Sequence, residues 1–192
     1  MTEDRYDKKA AIASTAVRLF TERGIHGTPT SLIAREAGVS NGTLFYYFPT
    51  KEDLINFAYY EIKGRMAKEI VRGIGEEQTE KEVMRRVWRN AILWRVEHPD
   101  EYLFVRQFCS PHLIRKPPPK EILKNAPTAF EAIAGIIRGS YLEDMPIEVA
   151  FSIICSPIDA VVGSIIDSGG DLDRDRLIDA SFGIIWRGLT GE

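Results

Sequence analysis

Hydrogen-bonding side chains cluster at the beginning of one short predicted helix. The side chains are those of Ser40, Asn41, Thr43, Tyr46 and Tyr47, and Gly42 lies among them. An asparagine amide can bond two atoms of adenine at once, a threonine methyl can pack on thymine, and a glycine lets a backbone approach closely. The tyrosine hydroxyls can reach phosphates or base edges, with packing in a core or an interface as the alternative. The chemistry that these residue types offer is recognition of base edges.

A tight turn joins that helix to another short helix before it. We expect the first of the two to begin at Pro29 with Thr28 as its N-cap, because proline suits the first helical position. Gly38 permits a left-handed turn, and Ser40 caps the second helix, which runs from about Asn41 to Tyr47. This arrangement predicts a helix-turn-helix, whose second helix enters the DNA major groove.

Four further side chains around the two helices are candidates for DNA contacts. The Thr28 hydroxyl is predicted to meet a phosphate, since helix N-termini favour anions, although a plain N-cap is the alternative. Lys51 begins the next helix, where a cation opposes the helix dipole unless an anion is present, so we expect a phosphate there too. Ser31 and Arg35 lie on the first helix. Arg35 is the nearest residue for guanine recognition, with a solvated charge as the alternative.

The composition is that of an ordinary soluble protein. The 192 residues are 44% hydrophobic and 28% charged, with a net charge of −3. Residues 1–52 carry seven Lys or Arg and six Asp or Glu, which gives +1, whereas residues 53–192 carry 18 and 22, which gives −4. Non-specific DNA affinity should therefore be modest and sensitive to salt. We predict a DNA-binding domain at 1–52 and a second domain at 53–192.

Neither a signal peptide nor a membrane span is indicated. The N-terminus is charged, and no apolar run reaches the roughly 20 residues that a bilayer requires. Two cysteines stand in apolar surroundings without metal-ligand spacing, which fits a reducing cytosol. We therefore expect a cytoplasmic protein that does not contact membranes.

Helical periodicity continues to the end of the chain, with no strand-like alternation. The predicted helices number about nine. They cover residues 7–23, 29–37, 41–47, 51–74, 79–97, a stretch that follows a break at 98–100 and ends at about 109, 127–141, 146–167 and 173–189. The fold class is therefore all-α, with a three-helix DNA-binding domain followed by a larger helical domain.

Over residues 8–54 the sequence resembles the TetR/AcrR family of bacterial and archaeal transcriptional regulators. The resemblance rests on Gly24, Thr28, Ile33-Ala34, Ala37-Gly38-Val39-Ser40, Gly42-Thr43-Leu44, Tyr47-Phe48 and Lys51-Glu52-Asp53-Leu54. It implies an all-α homodimer whose first three helices bind operator DNA and whose C-terminal domain binds a ligand and dimerises. Ligand binding would move helix four and release the operator, and most members repress. Phe45 replaces the usual tyrosine, so one phosphate contact should be absent.

Aromatic and methionine side chains of the second domain are candidates for a ligand cavity. Such side chains make an adaptable wall for a hydrophobic effector, with ordinary core packing as the alternative for each of them. The candidates are Met66, Trp88, Ile92, Phe104, Phe108, Phe130 and Phe151.

The last two helices are candidates for a homodimer interface. Residues 147–166 are apolar on nearly every side, as obligate dimer interfaces often are, although a buried monomer core is the alternative. The predicted interface consists of Ile158, Val161, Val162, Ile165, Phe182, Ile185 and Trp186.

These patterns favour a DNA-binding regulator, specifically a dimeric repressor released from double-stranded operator DNA by a small hydrophobic ligand. A ligand-independent adaptor that binds DNA and a protein partner is the alternative. An enzyme is not expected, because His26, His98 and His112 do not pair with cysteines or carboxylates and no phosphate-binding loop is present. No cofactor, catalytic residue or metal site is predicted.

Overall fold

A computed structural model of the protein describes residues 2–75, 78–107, 137, 140 and 142–191; at 2–7, 147, 148 and 151 it describes the backbone alone. Within these ranges the chain forms eight helices and no strand. They are α1 (Thr2–Arg23), α2 (Thr30–Glu36), α3 (Asn41–Tyr47), α4 (Lys51–Ile70), α5 (Glu80–Glu97), α6 (Pro99–Gln107), α7 (Ile147–Asp167) and α8 (Arg174–Thr190). The predicted all-α class is confirmed, and nearly all of the predicted helix at 127–141 lies outside the described residues.

The chain divides into two compact units. The first comprises residues 1–63 and 98–122, so that among its described parts are α1, α2, α3, the first part of α4, and α6. The second comprises residues 64–97 and 123–192 and includes the rest of α4 with α5, α7 and α8. Helix α4 is continuous across the boundary at residue 63. The first unit thus extends past residue 52, where we had placed the end of the DNA-binding domain.

An apolar core holds the short helices of the first unit in place. Ile33 and Ala34 are the buried residues of α2, and Leu44 is that of α3. Phe20 of α1 is fully buried and stacks on Phe104 of α6, with ring centroids 6.1 Å apart. Because α2 and α3 have only seven residues each, their stability comes from this packing and not from helix propensity.

The predicted start of α2 was wrong, whereas the predicted turn and the cap of α3 are confirmed. Helix α2 begins at Thr30 with Pro29 as its N-cap and without a side-chain cap. Thr28 cannot cap it, because its buried hydroxyl donates toward the carbonyls of Leu19 (3.1 Å) and Gly24 (2.8 Å). Gly38 has a φ of +67°, and the Ser40 hydroxyl accepts a hydrogen bond from the Thr43 amide.

Helices α5, α7 and α8 form the core of the second unit. Trp88 of α5 is fully buried, and its indole N–H donates to the Ser181 hydroxyl of α8 at 3.1 Å. Arg95 of α5 lies 3.5 Å from the Asp159 carboxylate of α7 (Nε to Oδ1). Helix α7 continues through Pro157. Arg89 of α5 also pairs with Asp175 of α8 at 2.6 Å. These polar links add direction to the apolar packing of α5 against its neighbours.

The structure corrects the predicted dimer interface. Ile158, Val162, Ile165, Phe182 and Trp186 are buried within the single chain, and Phe182 stacks on Trp186 with ring centroids 6.0 Å apart. Val161 and Ile185 are half-buried. A side chain already covered by its own unit contributes little surface to a partner, so the alternative of a monomer core holds for the five buried residues.

Candidate DNA-binding surface

Helix α3 exposes a short polar and aromatic face to solvent. Asn41 and Gly42 are exposed in its first turn, and Tyr46 is 67% exposed near its end. The Asn41 amide makes no hydrogen bond within the described residues, so its donor and acceptor are available to a base edge. Leu44 and Phe48 are buried on the opposite side, as helical spacing predicts.

The hydroxyls of Ser40 and Thr43 are engaged with each other. They lie 2.9 Å apart, and the Ser40 oxygen also accepts from the Thr43 amide at 3.0 Å. This arrangement satisfies one amide of the first helical turn, which would otherwise lack a partner. It also restrains the two side chains, so that the Thr43 hydroxyl has less freedom to bond a base than its position in the sequence indicates.

The three consecutive aromatic residues of α3 have different surroundings. Tyr46 packs edge-on against Tyr47, with ring centroids 5.3 Å apart and an interplanar angle of 77°. Tyr47 is half-buried, whereas Phe45 is 46% exposed. From the sequence, Phe45 is expected only to lack the phosphate contact of a tyrosine hydroxyl. An exposed phenyl ring on a recognition helix can also contact thymine methyl groups. Its apolar type at an outward helical position was the available signal.

Thr28 and Lys51 make hydrogen bonds within the chain that the sequence did not predict. Thr28 is fully buried, so its hydroxyl cannot reach a phosphate while its bonds to the Leu19 and Gly24 carbonyls last. The Lys51 ammonium donates to the carbonyl of Ile25 and, at 2.6 Å, to that of Thr28. Burial lowers the pKa of Lys51, and the nearby Glu52 carboxylate raises it by a smaller amount.

Ser31 and Arg35 are exposed on α2, as a DNA-contacting role requires. The Arg35 guanidinium is 74% exposed and lies 3.4 Å from the Glu36 carboxylate. An exposed ion pair of this kind is weak, so the guanidinium can turn toward another acceptor at little cost.

The fold does not require a glycine at position 42. It is helical, and a Cβ atom built there meets only the Ser40 hydroxyl oxygen, at 3.7 Å, which is an ordinary contact. Glycine inside a helix costs about 1 kcal/mol relative to alanine. Because nothing within the described chain needs this glycine, the space above it is free for a close approach by another molecule.

The predicted ligand-contacting residues do not all belong to one unit. Met66, Trp88 and Ile92 are buried in the second unit, whereas Phe104 is buried in the first. Phe108 and Phe130, together with the side chain of Phe151, lie outside the described residues. Among the residues that the structure does describe, no three His, Cys, Asp or Glu side chains are placed to hold a metal ion, and no helix is long and apolar enough to span a membrane.

Known proteins share both the sequence of the first unit and the fold of the whole chain. The family described as "Bacterial regulatory proteins, tetR family" matches residues 12–57, which run from α1 into α4. A TetR-family transcription regulator from Shewanella sp. PV-4 has a TM-score of 0.77 and 28% identity, over 95% of this chain and 97% of its own. The chain belongs to the TetR family of transcriptional regulators. Members of the TetR family are DNA-binding regulators and not enzymes.

Two further matches have names that refer to fatty acid metabolism or to a fatty acyl-CoA. The Fatty acid metabolism regulator protein of Bacillus subtilis (strain 168) is 28% identical over 158 residues, which are 81% of each chain. The structure of FadR from Bacillus subtilis in complex with stearoyl-CoA has a TM-score of 0.68 and 23% identity, over 93% of this chain and 98% of that one. This last likeness shows a shared fold.

We predict that Gly42→Ala stabilises the protein but weakens its DNA binding. The free energy of unfolding should rise by up to about 1 kcal/mol, because alanine favours a helix. Affinity for a duplex selected from a random-sequence pool should fall about tenfold, because the added methyl group obstructs the approach to DNA. Chemical denaturation and fluorescence anisotropy measure the two quantities.

Gly38→Ala is the matched comparison. It has open space around it but a positive φ, so alanine should destabilise the fold by about 1 kcal/mol. If Gly42→Ala left DNA affinity unchanged, close contact between α3 and DNA at this position would be refuted.

Proposed function

We propose that the protein is a dimeric repressor that leaves its operator when a fatty acyl ligand binds. The observation that carries the DNA-binding part is the exposed face of α3, where Asn41 and Tyr46 stand on a helix fixed from behind by Leu44 and Phe48. Asparagine can pair with adenine in the major groove, and Phe45 adds an apolar contact surface for thymine. Guanine recognition would fall to Arg35 on α2.

Phosphate contacts would come from residues other than Thr28, whose hydroxyl is buried. The Tyr46 hydroxyl lies on an exposed side chain next to the face that carries Asn41. Phosphate contacts set the register of a protein on DNA, and base contacts supply the specificity. With a net charge of only +1 over residues 1–52, each monomer has little non-specific affinity, so tight binding would require two copies.

The ligand class is inferred from relatives. The Bacillus subtilis regulator named for fatty acid metabolism matches 81% of this chain, which includes parts of the second unit. The second unit buries Met66, Trp88 and Ile92, and apolar or aromatic side chains of this kind are typical walls of a site for an acyl chain. A long-chain acyl-CoA is the effector that these observations favour.

A second copy of the chain is the proposed partner of α7 and α8. One exposed row on these two helices is small or apolar and recurs at helical spacing, which suits close helix packing in a homodimer. Among the described side chains of the two helices, Ile184 is the most exposed large apolar one, at 64%. The outward row consists of Ile153, Ala160 and Ser164 on α7 and of Ala180, Ile184 and Gly188 on α8.

Stearoyl-CoA should release the protein from DNA. The probe is a duplex enriched from a random-sequence pool by the wild-type protein, and release is followed by fluorescence anisotropy. Stearoyl-CoA at about 100 times its Kd should also stabilise the free protein by about 2.7 kcal/mol, which raises its melting temperature. Coenzyme A without an acyl chain is the control and should do neither. If stearoyl-CoA changed neither DNA binding nor the melting temperature, the proposal of an acyl ligand would be refuted. The alternative of a ligand-independent adaptor would then be favoured.

Ile184→Asp should convert the dimer into monomers. A carboxylate forced into an apolar interface without a partner costs several kcal/mol, so self-association should weaken by about a hundredfold or more. Sedimentation velocity measures the mass, and circular dichroism should show unchanged helix content because Ile184 is not part of the core.

Leu103→Asp is the matched control. Leu103 is 43% exposed on α6, so a new charge there should leave the dimer intact. Trp186→Asp is a contrasting variant, which should unfold the second unit because Trp186 is buried against Phe182. If Ile184→Asp remained a dimer, the interface would not include this row.

A further inference from the structure

Lys51 makes unusual contacts for the first residue of a helix. Its ammonium donates to the backbone carbonyls of Ile25 and Thr28 and lies 5.5 Å from the centroid of the Phe20 ring. Both carbonyls belong to the connection between α1 and α2. The side chain therefore ties the beginning of α4 to a segment more than 20 residues away in sequence.

The first turn of α4 has its own cap and does not need an anion. The Thr50 hydroxyl donates to the Asp53 carboxylate at 2.8 Å and accepts from the Asp53 amide at 3.1 Å, while the Thr50 amide donates to the same carboxylate. Asp53 thus already supplies the negative charge that this helix terminus favours. The cation of Lys51 is compensated by carbonyl oxygens instead, just beyond the C-terminal end of α1, where the helix dipole is negative.

Thr28 completes the same network from the other side. Its hydroxyl lies within donating distance of the carbonyls of Leu19 and Gly24, and its amide donates to the Ile25 carbonyl at 3.2 Å. Together Thr28 and Lys51 place donors within hydrogen-bond distance of four carbonyl oxygens between residues 19 and 28, and the single Thr28 hydroxyl proton is shared between two of them. Buried carbonyls left without donors would cost about 1–3 kcal/mol each, so the pair defines the path of this connection.

We propose that Lys51 is a positioning residue for DNA binding, which holds the connection before α2 against α4 and does not neutralise a phosphate. Helix α2 begins two residues after Thr28, has no side-chain cap of its own, and packs on α3. Fixing residues 25–28 therefore fixes where α2 and α3 stand relative to the first turn of α4. The proposal rests on the DNA-binding mode proposed above and adds to it the residue that sets the orientation of the two helices.

The test uses the salt dependence of DNA binding by the full-length protein. A Lys51→Met variant keeps the aliphatic stem over Phe20 but loses the charged donor. On the duplex enriched by the wild-type protein, Lys51→Met should bind about tenfold more weakly, because loss of both charged hydrogen bonds loosens the connection before α2. The slope of log K against log salt should stay the same, because no phosphate contact is lost.

Two variants separate positioning from a general loss of stability. Lys51→Arg should recover most of the affinity, since a guanidinium can donate to the same carbonyls. Val105→Ala removes buried apolar volume from α6 of the same unit and should lower the melting temperature while DNA affinity stays at the wild-type level. Affinities are compared at a temperature at which circular dichroism shows every variant to be folded.

Three results would overturn the proposal. A slope that is shallower by about 0.9 in Lys51→Met would show that Lys51 contacts a phosphate. Wild-type affinity in Lys51→Met, or an equal loss in Val105→Ala, would show that the lysine does not position α2 and α3. A wild-type protein that enriches no duplex would instead refute the DNA-binding mode itself, together with the role of Lys51 in it.

Discussion

Two seven-residue helices have to be held in place by the rest of the first unit, because helices that short do not persist on their own. Apolar burial of Ile33, Ala34 and Leu44 supplies one part of the restraint. The polar part comes from Thr28 and Lys51, which donate hydrogen bonds to carbonyl oxygens at the end of α1 and in the connection between α1 and α2. The orientation of α3 depends on these contacts, and with it the proposed DNA-binding face.

Residues that build the fold and residues available for recognition are therefore separate even within one turn. Ser40 and Thr43 satisfy the start of α3, while Asn41 and Gly42 between them are exposed and not needed by the fold. The second unit repeats this division on a larger scale. Its buried residues, such as Phe182, hold α5, α7 and α8 together, whereas the exposed row that includes Ile184 is the proposed contact with a second copy.

The sequence predicted local structure well wherever the deciding interactions were local. The bounds of α3, the turn at Gly38 and the Ser40 cap all depend on neighbours within four residues. The contacts of Thr28 and Lys51 were not predicted, because the partners of Lys51 lie 23 and 26 residues away and the Thr28 hydroxyl turns back to α1. For α7, a helix that is apolar nearly all round does not reveal which row faces outward, so buried residues were predicted as interface.

The central claim is that α3 recognises base edges in the major groove through Asn41. Its most direct test replaces the adenines of the enriched duplex one at a time by 7-deazaadenine, which lacks the N7 acceptor. At one adenine in each half-site, affinity should fall about tenfold or more, and this loss should vanish in Asn41→Ala. If no adenine were sensitive, or if Asn41→Ala showed the same losses as the wild-type protein, recognition by α3 through Asn41 would be wrong.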